Sequence, residues 1–161
     1  MTTVLISYYT ETNSTKEVCD YIQTKMDGYD ITMKNISDVT DLSPFEAVIV
    51  AAPVHGMKWH QVAYDFITQH QNELTDKKVI YIALASMAYQ GRHFWQKKVF
   101  KTLCKPSKIV SPVETAIFGG LSPKGAPAIM NYLFGIPKNG KEDQRDWNMI
   151  DEWIVKLKKM L

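Results

Sequence analysis

The densest cluster of side chains able to hold an anion is Thr10-Glu11-Thr12-Asn13-Ser14-Thr15. Its hydroxyls lie just ahead of an apolar-periodic stretch that reads as a helix. Helix N-termini bind anions through free N–H groups and the helix dipole, and hydroxyls add donors. The loop has no glycine, and Lys16 falls beyond it, so it is not a Walker loop and carries no three-glycine dinucleotide fingerprint. A terminal monophosphate suits it. An ordinary polar turn with a helix cap has the same composition. A second segment, Pro53-Val54-His55-Gly56-Met57-Lys58-Trp59-His60, combines a glycine, an aromatic and two histidines. A third, Ser86-Met87-Ala88-Tyr89-Gln90-Gly91-Arg92-His93, combines a tyrosine and a glycine. Aromatics at a crevice suit a flat ring, and glycines admit close approach of backbone. Trp59 and Tyr89 also suit plain amphipathic surface positions.

The elements that would position these loops alternate in type. Val4-Leu5-Ile6 opens a buried strand. Thr15 to Met26 has helical spacing through Val18, Cys19, Tyr21, Ile22 and Met26. Ser14 followed by Glu17 predicts a capping box at its start. Tyr29 to Asn35 alternates as a half-buried or edge strand. Ala47 to Ala52 is an unbroken apolar run, as in a strand covered on both faces, with Pro53 expected to end it. A helix over His60 to Leu74 follows, then a strand over Val79 to Leu84. A helix over Arg92 to Leu103 and a strand over Ile109 to Phe118 come next. A short apolar helix over Ala126 to Phe134 and an amphipathic helix over Asp146 to Leu161 complete the chain. Strands alternating with helices predict parallel crossover units in a doubly wound three-layer α/β sandwich. In such sheets ligands bind beyond the carboxyl ends of the strands. The loops at Tyr8 to Ser14, Pro53 to Trp59 and Ser86 to Gly91 all leave those ends.

Size and composition narrow the function further. The 161 residues fit one domain spanning 1–161, with 45% hydrophobic content. No apolar run approaches the roughly 20 residues of a membrane span. The start reads as a first strand and not as a signal peptide. Cys19 and Cys104 form no Cys-x-x-Cys pair, so neither a disulfide framework nor a metal site is expected, and the thiols suit a reducing, cytoplasmic setting. A net charge of +2 is too mild to argue for nucleic acid. A phospho-receiver would need acidic residues where Ser7-Tyr8 and Ala51-Ala52 stand. The apolar stretch 126–136, followed by Lys138, Lys141 and Arg145, suits either a sheet-capping helix or a peripheral contact with a membrane or quinone.

The loop and strand pattern resembles the flavodoxin superfamily. Its phosphate loop, Ser/Thr-x-Thr-Gly-Asn-Thr after the first strand, is matched in length and hydroxyl pattern by Thr10-Glu11-Thr12-Asn13-Ser14-Thr15. Asn13 stands for the glycine and tolerates left-handed backbone better than most residues. Ser14 stands for the asparagine. Pro53-Val54-His55-Gly56 is similar to the family's second loop. The resemblance implies a five-stranded parallel sheet of order 2-1-3-4-5 and non-covalently bound FMN. It places the phosphate on residues 10–15, and residues 53–59 and 86–93 beside the isoalloxazine. Cofactor contacts are thus expected from Thr10, Glu11, Thr12, Asn13, Ser14, Thr15, Pro53, Val54, His55, Gly56, Met57, Lys58, Trp59, Ser86, Met87, Ala88, Tyr89 and Gly91.

Within the superfamily, residues 48–66, Ile117-Phe118-Gly119-Gly120-Leu121 and Asp146-Trp147 look similar to the group that includes the menaquinone-dependent protoporphyrinogen oxidases. Those oxidases carry a basic insertion after the fourth strand; residues 86–94 here are short. The implied roles are an oxidoreductase acting on a quinone or other small molecule, or a carrier passing electrons between redox partner proteins. Lys58, His55, His60, Arg92 and His93 near the inferred ring predict a reduced state less disfavoured than in acidic carriers. His55 and His60 could also move protons. The Gly56 peptide could turn its carbonyl toward the N–H that forms at flavin N5 on reduction.

Overall fold

The computed structural model describes residues 1–85, 93–121, 129, 132, 133 and 143–161. The strands are β1 (Thr3–Tyr8), β2 (Asp30–Asn35), β3 (Ala47–His55), β4 (Lys58–Trp59), β5 (Lys78–Ala85) and β6 (Glu114–Gly119). They form one sheet of order β2-β1-β3-β5-β6, all parallel, with the two-residue β4 folded back antiparallel onto β3. Leaving β4 aside, this is the expected 2-1-3-4-5 order. The helices are α1 (Ser14–Lys25), α2 (Gln61–Gln69), α3 (Gln71–Thr75), α4 (His93–Lys101), α5 (Cys104–Ser107) and α6 (Trp147–Lys158).

Alternating residues of the central strands feed two separate cores. Val4, Ile6, Ile49, Ala51, Ile80 and Ile82 pack beneath α1 and α6, against Val18, Ile22, Ile150, Trp153 and Leu157. Leu5, Val48, Val50, Val79 and Tyr81 pack on the opposite face against Ala63, Phe66, Ile67 and Leu74. Each large aliphatic side chain buried here stabilises the fold by about 1.5–3 kcal/mol. The near-continuous apolar runs of β3 and β5 are therefore the mark of strands covered on both sides. Tyr81 is buried among them; its hydroxyl donates to the Val110 carbonyl at 2.8 Å, and burial pushes its phenol pKa upward.

Several expectations are corrected. Pro53 does not end β3, which pairs through Pro53↔Leu84 and continues to His55. Gly56 (φ 55°) and Met57 (φ 64°) then both take left-handed backbone, the geometry of a tight two-residue hairpin turn, and set His55 opposite Lys58. The helix expected over 60–74 is divided at His70 into α2 and α3. The strand expected from Ile109 begins only at Glu114, because Pro112 interrupts the segment and offers no N–H for a ladder. Of the apolar segment 126–134, Ile129, Tyr132 and Leu133 are described, and all three are exposed. The rest of that segment lies outside the described residues. Cys19 is buried in α1, where desolvation pushes its thiol pKa upward; Cys104 is exposed in α5; both are free thiols.

Candidate functional site

At the carboxyl end of β1 the chain enters α1 without a conventional cap. Asn13 occupies the N-cap position in left-handed backbone (φ 65°, ψ −8°), and no side chain caps the helix. The expected capping box does not form. Ser14 is the first helical residue rather than the cap, and its Oγ lies 3.2 Å from Thr12 Oγ1. Glu17 is drawn sideways, accepting from Asn13 Nδ2 at 3.3 Å and from the Arg145 guanidinium. The first helical backbone bond runs from Glu17 N to Asn13 O, so the amides of residues 13–16 have no intrahelical partner.

Two further hydroxyls at this helix end are buried yet unpaired. Thr10 Oγ1 and Thr15 Oγ1 are shielded and have no hydrogen-bond partner; Ser7 Oγ, within β1, is likewise unpaired but belongs to the strand and not to this helix end. A buried donor without a partner costs about 1–3 kcal/mol. Thr10 and Thr15, beside four open amides, form a cradle whose energetics call for an acceptor-rich anion. A phosphate monoester satisfies that donor set; a cation does not. The residues present therefore fit the phosphate end of FMN.

Glu11 would repel such an anion if it faced inward. Instead its carboxylate turns to the second loop, 3.1 Å from His55 Nδ1 and 3.5 Å from His60 Nε2. His60 is built into the fold: its Nδ1 accepts the Val62 amide at 3.3 Å as the cap of α2, and its ring stacks on Tyr9 at 4.3 Å. Accepting at Nδ1 leaves the proton of neutral His60 on Nε2, facing Glu11. Glu11, His55 and His60 present ligand atoms within 4.8 Å of one another. A metal on His60 Nε2 would displace that proton and strip α2 of its cap. The trio thus works as a clamp between the first and second loops.

The second loop is arranged differently from expectation. Pro53 and Val54 are half-buried within β3, whereas His55, Gly56 and Lys58 are exposed at the hairpin tip with Met57 half-buried. Trp59 lies beneath the rim, with 6% of its surface exposed; its indole Nε1 donates to the carbonyls of Ala52 and Ile82. An indole needs a partner for its N–H, and this one finds it inside. Tyr9, not singled out from sequence, is the aromatic that the structure sets against His60. Its stack on His60 depends on a tertiary contact with no local signal. Ser86, Met87, Ala88, Tyr89 and Gly91 lie outside the described residues, as does Arg92.

A further feature is missed by sequence reasoning altogether. Arg145 forks onto Asp143 (Nε to Oδ1 2.9 Å, a second nitrogen to Oδ2 2.7 Å), pairs with Glu17, and lies 5.0 Å from the Trp147 ring centroid. These contacts hold the Glu17 and Asp143 carboxyls below the usual carboxylate range. With side-chain exposure of 9%, Arg145 ties the entry of α6 to the first turn of α1 and offers no cation to a membrane.

A parallel open sheet with helices on both faces, and an anion cradle where its first strand meets its first helix, defines the doubly wound class that binds ligands at strand carboxyl ends. The chain belongs to the flavodoxin domain family, whose profile matches residues 5–122. Among solved structures it is similar to the two-electron reduced flavodoxin of Megasphaera elsdenii (22% identity, 79% of this chain and 93% of that one, TM-score 0.58). It is also similar to oxidised flavodoxin 1 of Bacillus cereus (14% identity, 99% of each chain, TM-score 0.61). A third is the Fusobacterium nucleatum flavodoxin bound to flavin mononucleotide (20% identity, 100% and 99%, TM-score 0.51). At these identities the likeness is one of fold. Comparison with curated proteins gives no match.

Proposed function

We propose that the chain binds FMN without a covalent link and serves in electron transfer. The single observation that carries this reading is the set of buried, unpartnered hydroxyls at the uncapped start of α1. Thr10, Thr12, Ser14, Thr15 and the open amides hold the phosphate. Pro53 to Lys58 flank the ring on one side, and Ser86, Met87, Ala88, Tyr89 and Gly91 flank it on the other. Bound flavin supplies the redox chemistry; the protein supplies position and electrostatics. His55 stands at the exposed tip of the hairpin, held with His60 against the Glu11 carboxylate.

The finer reading is an oxidoreductase that passes electrons to a quinone or another small molecule, in line with the sequence resemblance to the menaquinone-linked oxidases. The second reading is a carrier between redox partner proteins, favoured by the flavodoxins among its structural neighbours. A cytoplasmic setting is proposed from the free thiols. Among the described residues no helix is long and apolar enough to cross a membrane.

The absorbance spectrum of freshly purified protein tests the cofactor. Oxidised-flavin bands, with FMN released on denaturation, are expected. Protein that stays colourless after incubation with FMN overturns the reading. Turnover of a quinone by the loaded protein alone separates the oxidoreductase from the carrier.

A further inference from the structure

A groove of about 580 Å³ opens beside the β3–β4 hairpin, on the side away from the phosphate cradle's helix. Its walls come from β4, α2, α4 and α5. Lys58, Lys98, Lys101 and Lys105 line it together with Met57 and Tyr64, and among the described residues no acidic side chain does. Lys58, Lys101 and Lys105 take part in no ion pair among the described residues. Lys105 Nζ is held 4.6 Å from the centroid of the Tyr64 ring.

Cations in the last turn of α4 complement its dipole, which accounts for Lys98 and Lys101 as a local matter. It does not account for Lys58 and Lys105, which reach the same hollow from other elements. Bringing the cationic side chains of Lys58, Lys101 and Lys105 to one concavity is electrostatically unfavourable unless an anion offsets them. A cleft lined by one sign of charge also concentrates ligands of the other. The volume lies within the range of small-molecule sites. One carboxylate would leave most of the charge uncompensated; two linked phosphates would not.

We propose that this groove binds a small soluble ligand carrying a pyrophosphate. Its floor includes Gly56 and Met57, so the ligand lies against the turn assigned to the flavin ring; that adjacency, but not the binding itself, rests on the proposed function.

The test is calorimetric titration with inorganic pyrophosphate, ADP and NADPH, each into the FMN-loaded protein, so that the phosphate cradle is occupied. Saturable binding is expected, weakening as salt rises and falling at least about tenfold in Lys101→Glu/Lys105→Glu. FMN affinity in that variant should be unchanged, and Lys101→Ala/Lys105→Ala should give a smaller loss. Tighter binding of ADP or NADPH than of pyrophosphate assigns a nucleotide; equal binding assigns the pyrophosphate unit itself. The proposal is overturned if no probe binds saturably at physiological ionic strength, if charge reversal changes nothing, or if only an acidic protein is retained. Should FMN not bind, the same titrations on the unloaded Thr10→Val/Thr15→Val variant still decide the groove, because that variant weakens the cradle and spares the lysines.

Discussion

Thr10 and Thr15 carry hydroxyls buried without partners, a state that destabilises the empty protein and rewards a bound acceptor. Thr10→Val/Thr15→Val keeps the shape and removes both donors. The variant should bind FMN at least about tenfold more weakly, since each hydrogen bond to a charged group contributes about 1.5–3 kcal/mol. Its melting temperature without FMN should be equal or higher. Fluorescence titration and thermal melts read the two quantities separately; equal FMN affinity would remove these hydroxyls from the site. The hydroxyl pattern was readable in the sequence because the chemistry of the loop is local. The disposition of Glu11 was not, because its partners His55 and His60 arrive from a different strand end. The burial of Trp59 was not legible for a related reason: residue type alone does not say whether an indole N–H finds its acceptor inside or outside.

At the scale of elements, the β3–β4 hairpin and the end of β6 are two places where backbone geometry constrains the residue type. Met57 holds φ 64°, a conformation that strains a residue with a Cβ by about 1 kcal/mol. Met57→Gly should therefore raise stability to chemical denaturation slightly, by about 0.5 kcal/mol once glycine's greater freedom in the unfolded chain is offset. Gly119 faces the reverse constraint. A Cβ there would meet the Gln144 carbonyl oxygen at 1.9 Å, in the segment that pairs with residues 120–121 and leads into α6. Gly119→Ala should destabilise by about 3 kcal/mol, read from the denaturation midpoint. Apolar periodicity announced β1, β3, β5, α1 and α6, because each is long and buries a regular face. It missed β4, two residues paired across a turn with none of the usual asparagine–glycine signal. It overran β6, where a proline outweighs the apolar character of Ile109 and Val110.

Across the whole molecule, the two termini of the fold are latched by charge. Arg145 joins Asp143 and Glu17, and Tyr21 donates from α1 to Asp151 of α6 at 2.9 Å. The folded-state pKa values of Glu17 and Asp143 are depressed, chiefly by their hydrogen bonds with Arg145. Their contribution is therefore fully present above the ordinary carboxylate range and is lost as pH falls through the depressed values. Stability should decline on acidification below about pH 4, and Arg145→Met should flatten that decline while lowering stability at neutral pH. Urea midpoints measured from pH 7 to pH 3 check the sign; a parallel fall in both proteins would remove the latch from the explanation. This latch was hidden in the sequence because Glu17 and Arg145 are far apart in the chain. Read alone, Arg145 belonged with Lys138 and Lys141 as a surface cation.

The central claim is that the open end of α1, with its buried hydroxyls, recognises a phosphate. Riboflavin has the same ring and ribityl chain as FMN and lacks that group. Side-by-side fluorescence titration of the flavin-free protein should give FMN an affinity at least about 100-fold above riboflavin's, a difference of about 2.7 kcal/mol. Equal affinities for the two flavins would contradict the account.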